Sequence, residues 1–186
     1  MLRLTRPTDA ELVELLASAR AGEPTYAEVG ATASGTRPPG YRHDSDETAL
    51  DSFEPAVAAL RAWGAQTGAG LGVYPAASVV ELGVTVLLVI RGSGLWAVAP
   101  CRVVHVEERD DRFSFAYGTL PGHPERGEAS FTVARRADGS TVFRVASFSR
   151  PVDPLARLGR PLSRRLQRRV TKRYLTAIAA SARTTR

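Results

Sequence analysis

RFSFAYGTLPGHPERGE, residues 112–128, is the stretch of this 186-residue chain that decides its fold. Its first six residues alternate, so Phe113, Phe115 and Tyr117 are expected on one face of a strand. The Gly- and Pro-rich segment that follows is typical of a connection between strands, and a second strand is predicted to begin at Glu128. The stretch therefore predicts an antiparallel meander whose turn carries a histidine.

The same signals continue on both sides of this stretch. Six strands are predicted between residues 71 and 149, at 71–74, 84–91, 95–107, 112–118, 128–136 and 141–149. Short, turn-rich connections such as GSG (92–94) and ADGS (137–140) join them, so neighbouring strands are expected to pair antiparallel. A further short strand is predicted in TYAEVG (25–30), so the sheet is expected to contain about six to seven strands, depending on whether this strand joins it.

Helices are predicted towards both ends of the chain. Thr8 and Glu11 have the spacing of a capping box, and apolar residues at helical spacing follow them. A second helix is predicted over 52–65, preceded by the acidic residues of 44–51. A long C-terminal helix is predicted over 161–182, with apolar residues on one arc and basic residues on the other.

These elements predict one domain of the α+β class. An antiparallel sheet must cover its apolar face, and the amphipathic C-terminal helix is the expected cover. We therefore predict a curved sheet that grips this helix, with an apolar cavity between them and two N-terminal helices outside. Along the chain, the predicted parts are the N-terminal helix (1–23), a strand, loop and helix (24–70), the sheet (71–149) and the basic C-terminal helix (150–186).

Composition narrows the class of protein. Apolar residues make up 44% of the chain and charged residues 24%, which is typical of a globular domain. Cys101 is the single cysteine, and the three histidines are scattered, so we expect no disulfide, no metal and no cofactor. The sequence contains neither a signal-peptide pattern nor an apolar run long enough for a transmembrane segment, so a soluble, cytoplasmic protein is expected.

The positive charge is local. Residues 150–186 carry eleven Lys and Arg and one acid, a net charge of +10, whereas residues 1–149 carry a net charge of −4. The basic arc of the C-terminal helix consists of Arg164, Arg165, Arg168, Arg169 and Lys172. This arc is either a solvated helix face or a docking surface for an anionic lipid or phosphate-bearing partner. Nucleic acid is a less favoured partner, because the strands and loops offer no interleaved aromatic and basic platform.

Several segments together resemble a known family across nearly the whole chain. They are PTYAEVGAT (24–32), PPGYRH (38–43), APCRVV (99–104), FAYGTLPGHPERGE (115–128), FSRP (148–151) and QRRVTKRYL (167–175). They are similar to the uncharacterised family called domain of unknown function nineteen-ninety. The resemblance implies a distant place in the helix-grip superfamily, with its START-like lipid-transfer domains, birch-pollen-allergen-like proteins and polyketide cyclases. It implies a curved sheet that grips a C-terminal helix around an apolar cavity, and no particular reaction.

Two polar positions leave alternatives open. Arg102 shares a face with apolar residues of its strand. It either lies inside, where it pairs with an acid such as Glu128 or holds a ligand carboxylate or phosphate, or it lies at an edge or is turned outward by a bulge near Pro100. His123 either orders its loop, contacts a ligand, or acts as a general base oriented by Glu125 or Glu128.

Three functions remain open from the sequence. The first is a non-catalytic binding protein for an apolar small molecule or lipid. Its predicted polar ligand contacts are Tyr26, Tyr41, His43, Arg102, Tyr117, His123 and Glu128. The second is a cyclase- or hydratase-like enzyme in which His123 and Glu128 are acid/base partners and Arg102 stabilises an anion. The third is a module that docks on anionic surfaces through the basic arc.

Overall fold

An antiparallel sheet forms the centre of the protein. The computed structural model describes residues 2–92, 94–152 and 160–183, with the backbone alone at residues 2 and 160–167. The strands are β1 (Leu2–Arg3), β2 (Arg42–Leu50), β3 (Gly72–Tyr74), β4 (Thr85–Gly92), β5 (Leu95–Arg109), β6 (Arg112–Thr119), β7 (Glu125–Arg135) and β8 (Thr141–Pro151). Seven of them follow the order β2-β8-β7-β6-β5-β4-β3, and the short β1 pairs with β5. The predicted curved antiparallel sheet is confirmed.

Five helices are described around the sheet. They are α1 (Asp9–Ala21), α2 (Ala31–Ser34), α3 (Phe53–Arg61), α4 (Gly64–Gly68) and α5 (Arg160–Ser181). The predicted capping box is present: Thr8 accepts a hydrogen bond from the Glu11 amide, and the Glu11 carboxylate accepts one from the Thr8 amide. The predicted second helix is divided at Trp63, which has a left-handed φ of 59° and separates α3 from α4. None of the described helices is long and apolar enough to cross a membrane.

The two faces of the sheet have different covers. On the convex face, α1 packs its apolar side on β4 and β5; this contact contains Leu12, Leu16, Ala19, Leu87, Val89, Val98 and Leu120. The segment 24–41, which includes α2, covers the same face at β6–β8, where Tyr26 and Ala31 pack with Phe148 of β8. On the concave face, α3, α4 and α5 enclose the main core. The long C-terminal helix therefore covers the sheet as predicted.

Two stretches differ from their predicted structure. TYAEVG (25–30) forms no strand, because Tyr26 turns onto the sheet, where its hydroxyl donates to Glu128. The acidic stretch expected to lead into a helix is β2, which pairs with β8 from Arg42 to Leu50. This strand lies at the edge of the sheet, so water solvates much of it and its polar sequence lacks an apolar alternation.

Candidate functional site

The concave face of the sheet is organised in rows of side chains that run across the strands. In the central row Phe115 pairs with Phe131, and their rings stack with centroids 5.0 Å apart. In the next row Tyr117 pairs with Ala129, and Ala129 pairs with Ser147. The two phenylalanines are fully buried, whereas Ala129 and Ser147 are partly exposed. The concave face therefore changes from large aromatic rings to small side chains along the strands.

Aromatic side chains from the helical layer close over these rings. Trp63 meets Phe115 edge-to-face with centroids 5.4 Å apart, and Tyr174 of α5 meets Phe131 in the same way at 5.5 Å. The Tyr117 ring lies 6.1 Å from the Trp63 ring. Burial raises the pKa of the Tyr117 and Tyr174 hydroxyls, so both stay neutral at physiological pH. The interior combines flat rings with uncharged phenols.

Two further polar side chains enter this interior. Trp63 and Gln66 are 1% and 0% exposed. Among the side chains that the structure describes, neither Nε1 of Trp63 nor Nε2 and Oε1 of Gln66 has a hydrogen-bond partner. Burial raises the pKa of Tyr117, and the nearby Gln66 side chain lowers it by a smaller amount. The two side chains do not meet in hydrogen-bond geometry. Because an unpaired buried polar group costs about 1–3 kcal/mol, three such atoms mark this part of the interior as a candidate binding site.

Glu128 lies on the opposite, convex face, where it holds the N-terminal segment. It is 3% exposed. Its Oε2 accepts hydrogen bonds from the Tyr26 hydroxyl at 2.8 Å and the Gly30 amide at 2.7 Å. Its Oε1 accepts from the Thr32 amide at 2.9 Å and from the Thr32 hydroxyl. All four donors belong to the chain itself, so Glu128 ties the segment around α2 to β7.

Tyr41 and His43 join the same convex cluster. Their rings and that of Tyr26 surround Phe148, with centroid distances of 5.0–6.1 Å. The Tyr41 hydroxyl donates to Glu28, and this bond lowers the pKa of the Glu28 carboxyl. A ring nitrogen of His43 lies 2.8 Å from the Pro38 carbonyl oxygen.

Arg102 lies on this convex face too, but it does not meet Glu128. Arg102, Gly118 and Glu128 occupy one row across β5, β6 and β7. Tyr26 crosses this row at Gly118, where a Cβ would lie 2.1 Å from the Tyr26 hydroxyl oxygen. The Arg102 guanidinium instead donates to the carbonyls of Ala19 and Arg20 at the end of α1, at 3.2 and 2.9 Å. Of the alternatives predicted for Arg102, the pairing with Glu128 is therefore not among its described contacts.

The β5 strand does contain a bulge, but not at the expected place. The register of β5 and β6 shifts between Val103 and His105, after Arg102, rather than near Pro100. Arg102 therefore keeps the face that its alternation predicts, at the border of the layer under α1. It also lines a surface cleft of about 530 Å³, together with Arg20, Val84 and Thr85.

His123 orders the connection between β6 and β7. Its Nδ1 accepts a hydrogen bond from the Glu125 amide at 2.9 Å. Burial lowers the pKa of His123 to about 4, so the ring is neutral near pH 7. The hydrogen-bond partners described for His123 and for Glu128 are different groups, so the structure does not assemble the acid/base pair that the enzyme hypothesis requires.

The basic arc of α5 is described in part. The side chains of Arg164 and Arg165 lie outside the described residues. Those of Arg168, Arg169 and Lys172 are exposed. Their docking on an anionic surface stays a prediction.

Of the seven predicted ligand contacts, Tyr117 faces the concave interior, and its role there stays a prediction. The sequence analysis missed Trp63 and Gln66 as candidate site residues. The available signal was WGAQTG (63–68), in which two glycines four residues apart, Gly64 and Gly68, interrupt a helical pattern. Such glycines indicate a tight turn or a close approach, and here they flank the glutamine.

Solved structures of similar fold were found at low sequence identity. A hypothetical protein from Helicobacter pylori matches with a TM-score of 0.59 and 14% identity, over 78% of this chain and 91% of that one. The di-domain ARO/CYC protein StfQ from the steffimycin biosynthetic pathway matches with a TM-score of 0.54 and 14% identity, over 76% of this chain and 50% of that one. These likenesses concern the fold alone.

Sequence relatives were also found, one of which covers almost the whole chain. A UPF0548 protein from Deinococcus radiodurans is 32% identical over 198 residues, which include 98% of this chain and 99% of that protein. A UPF0548 protein from Dictyostelium discoideum is 29% identical over 64% of this chain and 61% of its own length. The family described as domain of unknown function (DUF1990) matches residues 25–177. The chain therefore belongs to the DUF1990 family.

Proposed function

We propose that this protein binds a neutral, largely apolar small molecule or lipid between the concave face of the sheet and α5. The observation that carries the proposal is the change along this face from the aromatic rings of Phe115 and Phe131 to the small, partly exposed Ala129 and Ser147. Aromatic rings give a ligand a large apolar contact area, and a few polar groups among them fix its orientation. The fold likeness to an ARO/CYC protein supports this proposal by analogy.

The charge distribution favours a neutral ligand. Among the described residues, Glu128 is the one buried charged side chain, and it lies on the convex face with four donors of its own. An ion taken into the concave interior would lose its hydration without gaining a described counter-charge. A neutral molecule avoids this cost.

The small side chains favour one route of entry. Ala129 and Ser147 belong to β7 and β8, which are paired on both sides, so their exposed area opens on the face of the sheet rather than at an edge. Their row continues to Asp44 on β2. We infer that the ligand enters over this row, beside α5.

Native mass spectrometry of freshly purified protein tests the proposal. We expect a non-covalent adduct that is lost on denaturation. Replacing Ala129 with Trp should fill the row of small side chains and remove the adduct. Ala146→Trp is the matched control, because Ala146 is a partly exposed alanine of β8 whose partner Ser130 lies on the convex face. Retention of the same adduct by folded Ala129→Trp protein would contradict the proposed site.

A further inference from the structure

We propose that Trp63 and Gln66 are the polar anchor of this ligand, and that they select a flat ring system bearing a hydroxyl group. The inference rests on the binding function proposed above and names the ligand chemistry of the same site. Nε1 of Trp63 and Nε2 of Gln66 are hydrogen-bond donors, and Oε1 of Gln66 is an acceptor. All three atoms are buried and have no partner within the described part of the chain. A hydroxyl group can accept from the donors and donate to the acceptor.

The backbone holds this anchor in place. Trp63 has a left-handed φ of 59°, a conformation that is unusual for a bulky residue and is kept only where the surroundings enforce it. The amide and the hydroxyl of Thr67 both donate to the Trp63 carbonyl, at 2.9 and 3.1 Å. A Cβ at Gly68 would lie 2.6 Å from the Cβ of Ala177, so α4 presses directly on α5. Trp63 and Gln66 are therefore held in place by the contact of α4 with α5.

The surrounding rings favour a planar ligand. Four rings form a cluster in which five pairs have centroids 5.0–6.3 Å apart; they belong to Trp63, Phe115, Tyr117 and Phe131. Aromatic rings of this kind contact a flat ring by stacking and by edge-to-face packing. A purely aliphatic ligand would leave the three polar atoms unpaired. A hydroxylated aromatic ligand would pack on the aromatic rings and form hydrogen bonds to the polar atoms.

Buried water could instead be the hydrogen-bond partner of these polar atoms, and this explanation predicts a different experimental result. A buried water that only satisfies the indole and the amide has a structural role, so removing it would change stability and leave ligand preference alone. A ligand anchor determines preference between two ligands that differ by one hydroxyl group. The decisive measurement is therefore a comparison of ligands in wild type and variants.

2-Naphthol and naphthalene are suitable probes, since they share a ring system and differ by the hydroxyl group. Ligand-observed NMR titration should give wild-type protein a preference of about ten-fold for 2-naphthol. Gln66→Met keeps the length of the side chain without its polar atoms, and it should abolish most of this preference while naphthalene still binds. Trp63→Phe should reduce the preference as well. Ser114→Ala is the control, because Ser114 is a buried polar residue whose partner Thr132 lies in the convex rows.

The outcomes separate the anchor from the binding function. If Gln66→Met and Trp63→Phe both keep the wild-type preference, the polar atoms bind water only, and the anchor is refuted while the binding function stands. Equal affinity of the wild type for both probes refutes the anchor in the same way. If neither probe binds to the wild type while native mass spectrometry shows an adduct, the anchor is refuted and the binding function stands. If the adduct is missing as well, the proposed function fails and the anchor fails with it. If Gln66→Met does not fold, Trp63→Phe decides.

Discussion

The Glu128 cluster gives the sharpest stability prediction. Each oxygen of this carboxylate accepts two hydrogen bonds, from Tyr26 and Gly30 on one side and from two groups of Thr32 on the other. Glu128→Gln keeps the shape of the side chain but replaces one oxygen with an amide nitrogen. The new amide nitrogen then faces one backbone amide, which can only donate, and one hydroxyl, which can turn to accept. The variant therefore loses one bond outright and the charge assistance of the other three, without creating a cavity.

The magnitude follows from the burial of this side chain. Bonds to a charged group contribute about 1.5–3 kcal/mol each, and at 3% exposure water cannot replace them. We therefore expect Glu128→Gln to lower the free energy of unfolding by about 3–6 kcal/mol. Tyr26→Phe removes one donor and should cost about 1.5–3 kcal/mol. The double variant should cost less than the sum, because both changes weaken or remove the bond between residues 26 and 128.

Urea denaturation followed by circular dichroism measures these differences. Tyr41→Phe is the matched control: its hydroxyl donates to Glu28, which lies near the surface, so its loss should cost less than about 1 kcal/mol. If Glu128→Gln unfolded at the wild-type urea concentration, the cluster would not hold the segment around α2. Equal costs for Tyr26→Phe and Tyr41→Phe would contradict the same reasoning.

Three further predictions concern other contacts. Arg102→Met should lower the free energy of unfolding by about 1–2 kcal/mol, because the guanidinium caps the end of α1. It should also speed amide hydrogen exchange in α1 more than in the sheet. An equal increase of exchange in α1 and in the sheet would contradict this role. NMR titration should give His123 a pKa of about 4, whereas the pKa of this ring in the unfolded chain is near 6.5. Because the unfolded chain then binds the proton first, the contribution of this ring to stability should fall as the pH is lowered from 6.5 to 4. A measured pKa near 6.5 in the folded protein would contradict the burial of the ring. Gly68→Ala should lower the melting temperature, because the new Cβ would clash with the Cβ of Ala177. Adding Ala177→Gly should restore part of the loss. An unchanged melting temperature in Gly68→Ala would contradict the close contact of α4 with α5.

The sheet could be predicted from sequence where its strands carry their own pattern. The predicted strand 112–118 corresponds to β6 (Arg112–Thr119), because its aromatic side chains alternate and turn residues bound it. The edge strand β2 could not be predicted, since it is formed by pairing with β8 rather than by apolar alternation. TYAEVG has the composition of a strand, but it forms none, because the Tyr26 ring is buried against the sheet and its hydroxyl donates to Glu128.

The candidate site was harder to predict for a related reason. The sequence analysis favoured charged residues and histidines, since these residue types often carry chemistry. Gln66 is uncharged and stands in a short segment without a known motif, and its importance depends on what lies around it after folding. Burial and the lack of a described partner are properties of the packed chain, which local sequence patterns do not encode.

The positions of the charges explain why the two faces of the sheet differ. Short helices and loops leave backbone amides and carbonyls unpaired, and charged side chains are strong partners for them. The cation of Arg102 accordingly binds the carbonyls at the end of α1, and the anion of Glu128 binds amides around α2. Both contacts lie on the convex face, which leaves indole, amide and phenol groups inside the concave one. Changes to Arg102 or Glu128 should therefore alter stability with little effect on ligand preference, whereas Trp63→Phe and Gln66→Met should alter ligand preference.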